Sequence, residues 1–396
     1  MKKVIVIGVG TGAETLTFEA RNAISNAEVL IGSQGLLDKF KDSSKPAYPC
    51  YHHDDIAGIV ESNSGKSFAV LVSGDVGFYS AAIGLAKALG AYDVIFIPGV
   101  STVNTFFARL KLPWQDAAFV SMHGRQMNIV DTVRRNRVTF CLAGNNVNKI
   151  GTALKKAGLG HIRAHIGENL GTPDERIYEK SAENIMQGEY PSLTVLLFEN
   201  DAFDDRTRTG LPNSCFSRIK GVPMTKSETR AVILSKLSLR PTDIFWDIGA
   251  GTGSVTVEVS LAVYKGFVYA VEQKKDAIGL IEKNCEAFNL GNVTIVTGEA
   301  PAALEALPVP DAVFIGGSGG NMEEIITLIL NKNPDARIVV TAVTLETMTS
   351  AFEALKKAKL TPEVVQLNVA QSKATGEFHL MEASNPVMIF SAGGKK

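Results

Sequence analysis

Short apolar runs alternate with helical patterns along most of this chain. Val4–Gly8, Glu28–Gly32, Phe68–Gly74 and Asp93–Gly99 are almost continuously apolar, and each ends on a glycine. Strands buried on both faces read this way, and the glycine marks where a parallel strand turns out of its sheet. The spacing predicts a parallel α/β unit at the start of the chain. From about Trp114 the texture changes. Ala117–Gly124, Val138–Gly144, Arg163–Gly171 and Leu193–Asn200 follow at wider intervals, predicting a second lobe of the same unit that ends near Asn200. Asp201–Pro223 is polar, with glycine, proline and alternating charge, as a linker is. Alternation then restarts with strands expected in Asp243–Gly251, Gly266–Glu272, Val293–Ala300, Asp311–Gly320, Arg337–Val343, Glu363–Gln371 and Pro386–Gly394. Helices are expected between them, for example Glu324–Leu330 and Leu345–Lys357. The reading is two α/β domains, 1–202 and 216–396, joined by a linker at 203–215.

Composition narrows the class. The chain has 396 residues, 45% hydrophobic and 20% charged, which excludes disordered, collagen-like and coiled-coil chains. No apolar run approaches the ~18–20 residues of a membrane span. The opening Met1–Gly12 has two lysines and a short apolar run that breaks into glycines, so a first buried strand of a cytoplasmic domain is expected rather than a secretion signal. Net charge is -1, which gives no overall field toward nucleic acid. Cys50, Cys141, Cys215 and Cys285 form no C-x-x-C, which fits a reducing compartment and no structural zinc. No bound metal is expected.

The most specific chemistry lies in Phe245–Ser254, FWDIGAGTGS. A strand ends at Asp247, and Gly249-Ala250-Gly251-Thr252-Gly253 turns the chain into a helix. Glycines there allow positive φ and let a ligand lie against bare backbone. A dinucleotide enzyme prefers G-x-G-x-x-G/A, with pyrophosphate on the helix N-terminus. Here the spacing is G-x-G-x-G, and Asp247 just before the turn would repel pyrophosphate but suit a cationic amino-acid group. Glu272 ends the next strand, where a carboxylate can accept both ribose hydroxyls. Glu299, beside Ala300 at the end of the third strand, is placed to reach an adenine amino group.

This set resembles the class I S-adenosylmethionine methyltransferases. The flanking Gly221–Arg230 (GVPMTKSETR) and Val313–Gly320 (VFIGGSGG) resemble the C-terminal half of the fused methyltransferase/decarboxylases of cobalamin biosynthesis. That resemblance implies that Thr225, the Gly249–Gly253 turn, Glu272 and Ala300 line an S-adenosylmethionine pocket. It implies that Gly316, Gly317, Ser318 and Gly319 face a tetrapyrrole. The fourth strand lacks the Asn/Asp-Pro-Pro-aromatic sequence of enzymes that methylate exocyclic amino groups.

In the first domain Gly8-Val-Gly-Thr-Gly12 ends the first strand, but the second strand ends in Ser33 and Gln34, with no acid to hold a ribose. This argues against NAD and against a second class I domain. Val72–Tyr79 (VSGDVGFY), Pro98–Thr102, Leu112–Trp114 and Ser121–Arg125 (SMHGR) resemble, in order and spacing, the tetrapyrrole (class III) methylases. The departures are Thr11 where proline is usual, and Gly-Asp-Val for the family's Gly-Asp-Pro. The resemblance implies a two-lobed domain with S-adenosylmethionine in its cleft, touched by Gly8, Gly10, Gly12, Gly74, Asp75, Val76, Ser101 and Thr102. Together the two resemblances cover nearly the whole chain in the fused order. They imply C-methylation of a corrinoid precursor at C-5 and C-15, with loss of an acetate carboxylate.

Other polar residues stay open. His123 and Arg125 are candidates for binding or catalysis at the lobe junction, with a structural histidine as the alternative. Lys226, Glu228 and Arg230 sit where chain can fold over the cofactor, and the first two are candidate catalytic residues. Arg134, Arg135 and Arg137 read as a solvated helix face. His52-His53 and His161/His165 read as non-metal histidines, with no cysteine or carboxylate expected at ligand spacing nearby. The expected partners are a small tetrapyrrole and further copies of the chain, with neither nucleic acid nor membrane. The competing functions are a two-domain NAD-dependent oxidoreductase and an S-adenosylmethionine-binding protein with one inactive half.

Overall fold

The computed structural model describes residues 3–41, 44–80, 82–122, 128–205 and 209–394. The chain divides into two compact units. The first comprises 1–125, 137–151 and 161–200; the second comprises 126–136, 152–160 and 201–396.

The first unit holds two sheets. One contains β1 (Lys3–Gly8), β2 (Val29–Gly32), β3 (Ala47–Pro49), β4 (Phe68–Val72) and β5 (Asp93–Ile97), ordered β3-β2-β4-β1-β5 and parallel throughout. Its apolar runs pack on both faces, Val4, Val6 and Val70 on one side and Ile7, Ala69 and Leu71 on the other. The other contains β6 (Ala118–Ser121), β7 (Val138–Leu142), β8 (Arg163–Glu168), β9 (Arg176–Ser181) and β10 (Thr194–Glu199), ordered β6-β7-β10-β8-β9. Only the β6–β7 pair is parallel. Two strands were not expected from the pattern: β3 is a three-residue edge strand, and β9 (RIYEKS) is too polar to read as buried.

The second unit is built on a seven-stranded sheet: β11 (Ile244–Ile248), β12 (Phe267–Glu272), β13 (Val293–Thr297), β14 (Ala312–Ile315), β15 (Arg337–Ala342), β16 (Glu363–Leu367) and β19 (Val387–Gly393). The order is β13-β12-β11-β14-β15-β19-β16. The first five are parallel, and β19 runs antiparallel to both β15 and β16. The centre has the 3-2-1-4-5 order of doubly wound sheets, which puts the end of β11 at the topological switch point, where such sheets bind ligands. Alternation along β11 and β14 divides the core. Trp246, Ile248, Val313 and Ile315 pack on one face, and Phe245, Ala312 and Phe314 on the other.

Between β16 and β19 the chain leaves the sheet as a hairpin, β17 (Ala370–Thr375) and β18 (Phe378–Ala383), exposed along its whole length. The pattern did not announce it, because a hairpin without a buried face has no apolar alternation to read. The expected solvated arginine face is corrected in part. Within the second unit, the Arg134 guanidinium bonds the buried Asp131 carboxylate and the Asn289 carbonyl. Arg135 stacks over the Tyr264 ring at 4.5 Å and donates to the Leu261 carbonyl at 3.1 Å. A run of charges shows the chemistry of a helix face but not what packs on it. Among the described residues no helix is long and apolar enough to cross a membrane.

Candidate functional site

A cavity of about 300 Å³ opens at the carboxyl ends of β11, β12 and β14. The glycine turn after β11 forms its floor. Gly249 has φ +71° and Gly251 φ +57°, a region that side-chain-bearing residues rarely adopt. A Cβ on Gly249 would fall 2.7–2.9 Å from the backbone of Gly317, so the turn and the loop after β14 touch main chain to main chain. A Cβ on Gly251 would fall 2.9 Å from the Pro223 carbonyl oxygen.

Glu272 stands at the end of β12 and is nearly buried. Its Oε2 accepts from the Gly251 N–H at 2.9 Å, and its Oε1 from the N–H groups of Gln273 at 2.9 Å and Lys274 at 3.0 Å. One carboxylate therefore fixes the glycine turn to the loop after β12. Oε1 is thereby fully used, and Oε2 keeps one further lone-pair direction. Glu299 and Ala300 close another side, and Gly316, Gly317, Ser318 and Gly319 form the wall after β14. Thr225 lines the remaining edge with Val222 and Pro223.

Thus Thr225, Gly249, Ala250, Gly251, Glu272, Glu299, Ala300 and Gly316–Gly319, far apart in sequence, share one cavity. Other candidates lie outside its lining. Gly253 caps the following helix, Ser254–Ala262, and Thr252 is buried behind the turn. Asp247, expected to face a cationic group, is fully buried, and its Oδ2 accepts from Thr256 Oγ1. Its Oδ1 has no protein partner, and burial raises the carboxyl to about 7. Lys226 is exposed at the N-cap of the helix Ser227–Leu237. Glu228 turns its Oε1 to Gln371 of the hairpin at 2.9 Å. A hydrogen bond from its own backbone N–H is the main cause that holds the Glu228 carboxyl below the ordinary range.

Arg230 is no pocket residue. It is completely buried and paired with an equally buried Glu258, Nε to Oε1 at 2.6 Å. Sequence reasoning did not single out Glu258, Pro223, Gln273 or Lys274. For the last two a signal existed, since the residues following a strand-ending carboxylate supply the N–H groups that hold it.

In the first unit the ends of β1, β4 and the loop after β5 converge. Gly10 and Gly74 exchange N–H···O bonds at 3.0 Å. A Cβ on Gly8 would lie 2.7 Å from both the Gly74 oxygen and the Gly99 nitrogen, and one on Gly12 would strike the Gly171 carbonyl. Asp75 ties the loops together: Oδ1 accepts from the Gly99 N–H at 3.1 Å and Oδ2 from the Gly77 N–H at 2.8 Å. Val76 packs against the β1–β4 core. Ser101 caps the helix Thr102–Leu110, its side chain accepting from Asn104 N–H. The structure therefore brings Gly8, Gly10, Gly74 and Asp75 into one cluster of backbone turns. His123 and Arg125 lie outside the described residues. His52, His53 and Asp54 place their ligand atoms within 4.8 Å of one another on the surface, so a carboxylate does stand beside that histidine pair.

The two halves match two family models: tetrapyrrole (corrin/porphyrin) methylases over residues 3–185 and the precorrin methyltransferase domain over 217–393. The class is thus a two-part tetrapyrrole methyltransferase. A probable cobalt-precorrin-6B C(15)-methyltransferase (decarboxylating) of Pyrobaculum calidifontis is 42% identical over 185 residues, covering 46% of this chain and 95% of the relative. A precorrin-6Y C(5,15)-methyltransferase [decarboxylating] of a Sinorhizobium species is 29% identical over 400 residues, covering 98% of this chain and 95% of the relative. A crystal structure of precorrin-6y C5,15-methyltransferase from Geobacter metallireducens is 42% identical, covering 47% of this chain and 97% of that one, with a TM-score of 0.45. The chain belongs to the precorrin-6Y C5,15-methyltransferase (decarboxylating) family.

Proposed function

We propose that this chain methylates a precorrin-6Y-type corrinoid at C-5 and C-15 and releases an acetate carboxyl as CO2, in cobalamin biosynthesis. The observation that carries the reading is the cavity at the switch point of the second sheet, where a strand-ending carboxylate, a positive-φ glycine turn and a glycine-rich wall meet. S-adenosylmethionine fits these residues, and when bound it supplies an electrophilic sulfonium methyl. Glu272 would hold the ribose hydroxyls, Glu299 the adenine amino group, and Gly249–Gly251 of the turn the rest of the cofactor against bare backbone. Gly316–Gly319 would bound the side facing the tetrapyrrole.

Catalysis is then mostly alignment of donor and acceptor. The acceptor is a ring-bridging carbon made nucleophilic by conjugation with a pyrrole nitrogen, so a proton need only leave after the new C–C bond forms. In the decarboxylation the bond to the carboxyl carbon breaks, its electron pair passes into the conjugated macrocycle, and a proton is taken up there. The turns around Gly8, Gly10, Gly12, Gly74, Asp75, Val76, Ser101 and Thr102 would hold the second S-adenosylmethionine in the first unit. C-5 methylation is assigned to that unit, and C-15 methylation with decarboxylation to the second. His123, Arg125, Lys226 and Glu228 remain the candidates for handling protons and substrate carboxylates.

The domains are taken as 1–202 and 216–396. We also place the protein in the cytoplasm as a homo-oligomer, with no nucleic-acid partner. The exposed Phe378, Leu380 and Met381 on the hairpin support self-association. The test is mass spectrometry of a reaction with precorrin-6Y or its cobalt analogue. Two methyl gains with loss of CO2 are expected. Loss of CO2 without any methyl gain, or no change, overturns the reading.

A further inference from the structure

We infer that Arg230 and Glu258 are positioning residues that hold a preformed strap, Gly210–Thr225, against the cavity of the second unit. The inference rests on the reading of that cavity as a cofactor site.

The strap is irregular chain apart from two short turns, at Asn213–Cys215 and at Lys220–Gly221, so little in its own hydrogen bonding fixes its path. Its last residues, Val222, Pro223 and Thr225, line the cavity. A single guanidinium gathers both of its ends. Arg230 Nη2 donates to the Leu211 carbonyl at one end, and Nη1 donates to the Thr225 carbonyl at the other. Nη1 also donates to Asn213 Oδ1 at 3.1 Å, and the same oxygen accepts from the Ser227 N–H at 3.0 Å. Glu258 completes the ring of contacts, taking the Gly210 N–H at 2.7 Å and the Leu211 N–H at 2.9 Å while pairing with Arg230 Nε.

The middle of the strap is held separately. Phe216 lies under the guanidinium at 4.6 Å. The buried Asn284 bonds Ser217 through both its amide oxygen and its amide nitrogen, and the same nitrogen donates to the Thr252 carbonyl in the glycine turn. At the cavity the strap meets that turn again, with Ser254 Oγ donating to the Thr225 carbonyl at 3.3 Å.

Two fully buried charges are a poor way to gain stability, because well-packed apolar residues of the same volume do as well. What an apolar pair cannot do is collect carbonyls and N–H groups from two ends of an irregular segment. A planar guanidinium with several fixed donors can. The pair therefore sets where Pro223 and Thr225 stand before the cofactor enters, so the cost of ordering them is not charged to binding.

The test uses the intact chain with three variants: Arg230→Met/Glu258→Leu, Asn213→Ala and Gly251→Val. S-adenosylmethionine binding is followed by calorimetry, CO2 release by its dependence on S-adenosylmethionine concentration, and strap mobility by amide exchange over 210–225. In the double variant we expect KM for S-adenosylmethionine in CO2 release to rise about tenfold or more, kcat at saturation to stay within about twofold, and exchange in the strap to rise. A role in stability alone would lower the folded fraction, and hence kcat, without moving KM. A folded double variant with wild-type KM overturns the inference. If the double variant does not fold, Asn213→Ala decides: a raised KM with kcat kept supports the inference, and an unmoved KM overturns it. Gly251→Val separates the two readings. If it leaves every binding site of the chain intact, the cofactor assignment of the cavity is what has failed.

Discussion

Glu272→Gln is the sharpest test of how the second cavity works. The side chain has nearly the same volume, so no space opens. The native carboxylate accepts three backbone N–H groups, one through Oε2 and two through Oε1. A glutamine has a single acceptor oxygen. Placed on the Oε1 side it keeps the Gln273 and Lys274 N–H groups, but its NH2 then faces the Gly251 N–H, donor against donor. A hydrogen bond to a charged group contributes about 1.5–3 kcal/mol net. At about 1.4 kcal/mol per factor of ten, one such bond to a ribose hydroxyl is worth about 10-fold to 150-fold in affinity. With its NH2 in the place of Oε2 the glutamine cannot accept that bond, and the lost Gly251 bond loosens the turn besides. Affinity for S-adenosylmethionine should therefore drop at least about tenfold at one site of the intact chain, with the other site unchanged. Calorimetry reads both, after circular dichroism shows the variant folded. An unchanged affinity at both sites would refute the assignment of Glu272. An equal loss at both would refute the independence of the two cavities.

Three further outcomes are expected. Gly251→Val places a branched side chain at φ +57° and against the Pro223 carbonyl, and should abolish CO2 release and one methyl gain; Gly10→Val, at φ +75°, should spare CO2 release. Product masses check both, and CO2 release at the wild-type rate from a folded Gly251→Val protein would move decarboxylation out of the second unit. Burial raises the Asp247 carboxyl to about 7, with Glu272 adding to the rise and hydrogen bonds from Thr256 opposing it. The folded chain then holds a proton that the unfolded chain has lost between about pH 4 and pH 7, so this group erodes stability as pH rises through that window, by about 1.4 kcal/mol for each step of one in pH. Thermal midpoints of Asp247→Asn and wild type should diverge in favour of the variant from pH 5 to pH 8, and a gap that does not change with pH would contradict the buried-carboxylate account. Gly279→Ala, mid-helix and with nothing within 4 Å of the added Cβ, should stabilise by about 0.5–1 kcal/mol with CO2 release unaltered; a fall in denaturant midpoint would count against the exposed placement of that face.

The sequence by itself determined the alternation of strands and helices, the glycine turns and the strand-ending acids. Strands buried on both faces must be apolar throughout, and a turn that meets another main chain must be glycine, so β1, β4, β11, β12 and β14 and the Gly249–Gly253 turn were legible one at a time. The order of the fused halves was legible for the same reason, because each carried its own set of turns. Only the tertiary structure decided which of those turns face one another. It put Gly317 against Gly249, Glu272 under Gly251, and Pro223 over the same turn, contacts between segments about twenty to seventy residues apart. It also separated residues that look alike on paper. Thr225 and Arg230 belong to one polar stretch, yet Thr225 lines the cavity while Arg230 is buried behind it, holding the strap. Thr225 ends the irregular segment while Arg230 lies one turn into the helix that follows, and which side of that helix meets the core depends on what packs there. Asp247 shows the same limit along a strand. Its position at the end of β11 pointed to a ligand, but the alternation of the strand turned its side chain away from the cavity and into the protein.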